Sequence, residues 1–140
     1  MRRVVVTGMA GITSLGQDWP SIAANLRAGR TGIRRMPDWD RYPDLNTRLG
    51  APVLDFAVPS HYPRRMVRSM GRVALMSVRA SELALQNAGL LDDPSIRDGR
   101  MGVAYGSSAG SVDPVRAFGR MLETGRSEEH TSELQSHHDL

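Results

Sequence analysis

Val4-Val5-Val6-Thr7-Gly8-Met9-Ala10-Gly11-Ile12-Thr13-Ser14-Leu15-Gly16 is the stretch on which the reading of the whole chain turns. Three consecutive valines fit a buried extended strand, because β-branched side chains pack well on a pleated surface. Gly8 ends that run, and small residues follow to Gly16 in the manner of a tight turn. Asp18 is then placed to cap a helix with Pro20 in its first turn. Ile22, Ala23 and Leu26 recur at helical spacing, and Gly29 is the stop. Strand, small-residue turn and helix in that order make an α/β unit.

The same grammar continues downstream. Residues 31–48 read as loop, with Pro37, Pro43 and three aspartates among several arginines. Leu49 to Phe56 could supply a short strand interrupted at Pro52. A long helix is expected from about Ser69 to Asn87, with Met70, Val73, Ala74, Ser77, Ala80, Ser81, Ala84 and Ala88 at three- and four-residue intervals and Gly89 as its terminator. That face is small enough for another backbone to approach closely, which predicts an interior helix. Met101 to Tyr105 reads as a further strand and Gly106 to Ser111 as a second small-residue turn. Asp113-Pro114 reads as the capped start of a last helix.

Composition narrows the function classes, once the C-terminal end is set apart. Residues 126–140, R-S-E-E-H-T-S-E-L-Q-S-H-H-D-L, correspond without mismatch to an in-frame reading of a common short-read sequencing adapter with its index. This predicts a native frame reaching only to about Gly125 and a tail that is no domain. Over residues 1–125, 17 arginines face 11 acids, a formal charge of +6 where the whole sequence carries +3. Every basic side chain is arginine. That pattern suits a GC-rich genome, so the basic balance does not argue for nucleic acid; an acidic protein partner stays open. His130, His137 and His138 with Glu129, Glu133 and Asp139 imitate a zinc site, but an adapter dictates them and no metal is expected. His61, the one remaining histidine, is expected on the surface. Cysteine is absent, which excludes disulfides, thiolate metal sites and a thiol nucleophile within these residues. No apolar run reaches the length of a membrane span and no signal-peptide core is present, so a cytoplasmic protein is expected.

Three local features could carry chemistry. The first turn could cradle a pyrophosphate, but Gly8, Gly11 and Gly16 spell neither G-x-G-x-x-G nor T-G-x-x-x-G-x-G, and no acidic residue follows on a second strand to hold a ribose. A ligand-free structural turn is the plain alternative. Gly106-Ser107-Ser108-Ala109-Gly110 matches G-x-S-x-G, the nucleophile elbow of α/β-hydrolases, with Ser108 as nucleophile. Its triad would have to borrow His130 from the tail, and a glycine-rich turn for close packing explains the same residues. Arg64, Arg65, Arg68 and Arg72 form the densest basic cluster, to be read as a solvated helix start or as a docking patch.

Four blocks in one order carry a family resemblance. They are T-G-x-x-x-x-x-S-x-G at Thr7 to Gly16 with R-x-G-R-T-G-I at Arg27 to Ile33, the arginine-rich approach to the long helix at Pro63 to Ala80, A-L-Q-N-A-G-L at its end, and R-M-G-V-A-Y-G-S-S-A-G at 100–110. Together they resemble the start of the β-ketoacyl-acyl-carrier-protein synthases, the elongating condensing enzymes, over essentially all of residues 1–125. The resemblance implies an α/β chain that is the truncated N-terminal half of a thiolase-like layered α-β-α-β-α fold. It implies a homodimeric enzyme joining an acyl thioester to a malonyl thioester, with acyl carrier protein as partner and neither metal nor organic cofactor. Arg65 and Arg68 fall on positions that contact the carrier, and Ala109 on the position where a larger side chain gates the acyl pocket in long-chain relatives. A cysteine nucleophile and two histidines belong to the family's chemistry. None falls within this sequence, so no catalytic residue is assigned. A non-condensing partner subunit resembling a chain-length factor has the same N-terminal features.

Overall fold

The computed structural model describes residues 3–125; the adapter-like stretch, with His130, His137 and His138, lies outside them. The chain divides into two compact units. Of the described residues, one takes those up to His61 together with Met76–Val103, and the other takes Tyr62–Leu75 and residues 104–125.

In the first unit the opening stretch does form a turn ahead of a helix. α1 spans Trp19–Arg27. The Asp18 carboxylate accepts from the Ser21 amide and the Ser21 hydroxyl, both at 2.8 Å. Accepting from the Ser21 amide, and secondarily from its hydroxyl, favours the ionised carboxylate and holds Asp18 below the usual carboxylate range. Gly29 has φ +64° and lies just beyond the helix, as expected of its terminator. Ile22 and Ala23, on the inner face of α1, are the buried apolar residues among those described, at 6% and 7% exposure. The turn lies over them. Thr13 and Gly16 exchange two backbone hydrogen bonds, at 2.8 and 3.2 Å, and the Asn25 amide donates to the Leu15 carbonyl at 2.6 Å.

The segment expected to be loop contains a small ladder. β1, Arg34–Arg35, runs antiparallel to β2, Leu49–Gly50, with Arg34 opposite Gly50 and Arg35 opposite Leu49. A short 3-10 turn at Pro37–Arg41 lies between them. Asp40 accepts from Arg35 at 2.7 Å and forms an ion pair with Arg48 at 3.2 Å, which ties the two strands together.

The expected strands are otherwise corrected. Val4 to Thr7 and Met101 to Tyr105 take part in no ladder among the described residues, and Leu49 to Phe56 keeps only β2. Val4 is 96% exposed and Val103 80%. The physical reason is that β-propensity reports how well a residue fits a pleated, half-buried surface, whereas a strand exists only where a neighbour accepts its hydrogen bonds.

The arginine cluster opens a series of three helices, a single turn and two longer ones. α2 is one turn, Arg64–Val67, entered through Pro63. α3 is Arg72–Asn87, so the expected helix starts three residues late, after the break at Arg68 to Gly71. It contributes its first turn to the second unit and the remainder to the first. Its small-residue face is half-buried with no residue fully buried, which corrects the expectation of an interior helix. Gly89 ends it at φ +69°. α4, Val112–Thr124, has Ser111 in the capping position, two residues before the expected Asp113 cap, and Gly125 closes it at φ +65°. Pro114 is thereby inside the first turn, where a missing N–H costs nothing because those amides have no intrahelical acceptor.

Candidate functional site

The motif glycines have steric reasons to be glycine. A Cβ on Gly8 would stand 2.8 Å from both the Ala88 nitrogen and the Ala88 Cβ, and closer still to the Ala84 carbonyl oxygen. The next residue secures the contact, since the Met9 amide donates to the Asn87 side-chain oxygen at 3.0 Å. The T-G turn is therefore laid directly on the C-terminal half of α3, and the small face of that helix is what admits it. On the same face the Ser81 hydroxyl donates to the Ser77 carbonyl at 2.9 Å, so a polar residue sits there at no cost in unsatisfied groups. This packing gives Gly8 a steric role that needs no ligand.

In the second unit, α2 presents Arg64 and Arg65, and Arg68 follows at its end. All three are exposed, and none has an acidic partner among the described residues. Arg72 opens α3 one turn on. The described part of this unit carries six arginines against two acids, Asp113 and Glu123. Unneutralised guanidinium groups on a one-turn helix project a positive field that an acidic surface can feel before contact.

The turn at Gly106 to Ser111 belongs to the same unit. Ala109 is exposed within it, and the Gly110 amide donates to the Ser107 hydroxyl at 2.9 Å. The hydrolase geometry is not met. A nucleophile elbow needs a strand leading into a strained turn. Residues 101–105 form no strand, and every described residue at positive φ is a glycine, so Ser108 has an ordinary backbone. Ser111 does something the sequence did not announce. Its hydroxyl makes no cap for its own helix; instead it accepts from the Val73 amide at 3.1 Å, in the first turn of α3.

A second group was missed in the first unit. The His61 ring nitrogen Nε2 lies 2.5 Å from one Glu82 carboxylate oxygen, and Arg79 donates to the other at 2.6 Å. The i, i+3 spacing of Arg79 and Glu82 on a helix was a readable signal. The approach of His61 from a loop 21 residues upstream was not.

The elements thus define an α/β chain whose glycine turns and small-residue helix are built for close backbone packing. The sequence profile of the family described as "Beta-ketoacyl synthase, N-terminal domain" matches residues 1–137, and the chain belongs to that family. It is similar to a 3-oxoacyl-[acyl-carrier-protein] synthase 1 of Haemophilus influenzae, 32% identical over 113 residues, covering 80% of this chain and 27% of the relative. Among solved structures it is similar to a β-ketoacyl synthase from Burkholderia phymatum, with TM-score 0.81 and 62% identity over 90% of this chain and 31% of that one. It is also similar to the ishigamide ketosynthase/chain length factor, with TM-score 0.65 and 29% identity over 91% of this chain and 31% of that one. The chain therefore spans about a third or less of the proteins it matches. The course of the backbone carries the thiolase-like assignment here, since the β-layers expected of it contribute only β1 and β2 among the described residues.

Proposed function

We propose that this chain is the N-terminal part of a β-ketoacyl-[acyl-carrier-protein] synthase, a cytoplasmic acyltransferase of fatty acid or polyketide-type biosynthesis that works as a homodimer. The observation that carries the reading is the 62% identity and TM-score of 0.81 to a β-ketoacyl synthase across nine-tenths of the chain. The reaction is a decarboxylative Claisen condensation. An acyl group passes from its carrier thioester to an enzyme thiolate, and the carrier thiol leaves. A malonyl carrier thioester then loses carbon dioxide, and the electron pair of the broken C–C bond attacks the acyl carbonyl. The new C–C bond expels the thiolate and leaves a β-ketoacyl carrier. Such chemistry needs a thiolate of depressed pKa and donors for the oxyanion. The sequence holds no cysteine, so this chain alone contributes positioning and recognition.

Two of its features serve those roles in this reading. Arg65 and Arg68 dock the acyl carrier protein, and Ala109, a single methyl group, leaves the acyl pocket permissive. The likeness to a ketosynthase/chain length factor keeps a second reading, a non-condensing partner subunit, in which the same surfaces serve without the thiol.

The test is to recover the coding DNA beyond the Gly125 codon, express the full frame, and assay condensation of acyl and malonyl carrier thioesters. A cysteine in a strand-to-helix turn, two later histidines and carbon dioxide release support the synthase. A substituted cysteine with no activity supports the partner subunit. A later Asp-then-His pair with ester hydrolysis in place of condensation would revive the hydrolase and overturn both.

A further inference from the structure

We infer that Ser111 is a positioning residue that couples the acyl-gate turn to the carrier-docking segment, by capping α3 from across the unit. The inference rests on the roles proposed above for Ala109 and for Arg65 and Arg68. Gly71 precedes the first residue of α3, and its carbonyl accepts from the Leu75 amide at 3.1 Å, so Gly71 occupies the capping position. Glycine has no side chain with which to satisfy the free amides of the first turn. The Ser111 hydroxyl fills that vacancy by accepting from the Val73 amide at 3.1 Å, and the bond is partly buried.

The fit is mutual. A Cβ on Gly71 would run into both the Cβ and the hydroxyl oxygen of Ser111, whereas the Ser111 Cα would remain at 3.8 Å. Gly71 is therefore the residue that admits Ser111, and Ser111 does the work that a side chain at 71 would otherwise do. Gly71 follows three residues after Arg68, and Ser111 two residues after Ala109. One hydrogen bond thus joins the short segment bearing the docking arginines to the short segment bearing the gate. A cap made in this way transmits displacement between the two segments, and a local cap would not.

This distinction can be tested by moving the cap in the full-length synthase. Ser111→Gly removes the hydroxyl and clears the space at position 71. Ser111→Gly with Gly71→Asp then supplies a carboxylate in the capping position, which can accept from Val73 locally. Hydrogen exchange and acyl chain-length selectivity are read on the wild type and both variants. Ser111→Gly is expected to lower protection of the Val73 amide about fivefold. It should also loosen the Gly110 amide and shift the ratio of kcat/KM between long and short acyl carriers.

In the double variant, protection at Val73 returns while the Gly110 amide stays loose and selectivity stays shifted. Recovery of all three together would overturn the inference, because Ser111 would then be a cap and nothing more. An unchanged Val73 amide in Ser111→Gly would overturn it as well. Should Ser111→Gly fail to fold, the double variant alone decides by the same two readouts. Ala109→Ile separates the inference from the reading beneath it. If that change leaves selectivity unmoved, the gate role fails, and the exchange pattern at Val73 and Gly110 still answers for Ser111.

Discussion

Replacing Gly8 with alanine should be one of the most damaging single-methyl changes available in this chain. The added Cβ meets the Ala88 nitrogen and Cβ at 2.8 Å and the Ala84 carbonyl oxygen at shorter range. Two of these three atoms are backbone held inside the last turns of α3, where the Ala88 amide already donates to the Ala84 carbonyl at 2.9 Å. No rotamer change can make room. The turn must lift away from the helix, and overpacking of this kind costs about 1–3 kcal/mol. Lifting the turn also stretches the bond from the Met9 amide to Asn87, which adds about 1 kcal/mol. A destabilisation of about 3 kcal/mol follows, which in a full-length protein about three to four times the length of this chain lowers Tm by about 3 °C. The assay is thermal unfolding of Gly8→Ala beside Gly8→Ala with Ala88→Gly. The double variant relieves only the Cβ contact, so partial recovery is expected, with the carbonyl clash left in place. If Gly8→Ala unfolds within a degree of the wild type, the close approach of turn and helix is not what position 8 is for, and the steric reading of the motif fails.

Further expectations concern charge, pocket and solubility. Arg65→Ala with Arg68→Ala should weaken carrier-protein binding about tenfold at low salt and flatten its salt dependence, measured by titration at two ionic strengths; an unchanged salt slope removes the docking role. Ala109→Ile should narrow the acceptance of long acyl chains in competition assays between carriers of different chain length. Asp18 is held below the usual carboxylate range by its Ser21 bonds. Its support of α1 is therefore complete above that range and disappears as pH falls below about 4 through its lowered folded value. The protection factor of the Ser21 amide, corrected for the intrinsic pH dependence of exchange, should fall across that interval in the wild type and be flat in Asp18→Asn. Residues 1–125 expressed alone should be insoluble or should lack a cooperative transition. Val115, Phe118 and Leu122 recur at helical spacing on α4 and remain exposed, as do Val4 to Val6, and apolar surface of that extent invites association. A soluble monomer unfolding cooperatively would refute this.

The helices were legible because their signals are local. Asp18, Pro20 and Gly29 bracket α1 with effects confined to one turn, and the 3.6-residue recurrence of small residues through Ala88 marks α3 well before any partner is known. The errors at α3 and α4 have one source. Ser111 is common to both: it stands in the capping position of α4 in place of Asp113, and its hydroxyl accepts from the Val73 amide in the first turn of α3. Strands were legible only as composition. Val4 to Val6 have the residues of a strand, but the partner that would make them one is a property of the sheet. At the candidate site the arginines of α2 and the turn at Ala109 were found from the family blocks. The links that organise their surroundings, Ser111 to Val73 and His61 to Glu82, join residues 38 and 21 positions apart, and no short-range pattern encodes them.

The interlock of Gly71 with Ser111 also restricts how this sequence can drift. Any side chain at position 71 is blocked while serine stands at 111, and serine at 111 is needed while position 71 is bare. The two sites therefore form a lock with an ordered opening. Position 111 must shrink first, at the expense of an uncapped helix, before position 71 can acquire a capping side chain. Homologous chains should accordingly fall into two paired states, bare 71 with a hydroxyl at 111 or an acid at 71 with glycine at 111, and the mixed combinations should be scarce. The route between the states passes through a weakened protein, so lineages on either side are expected to stay there.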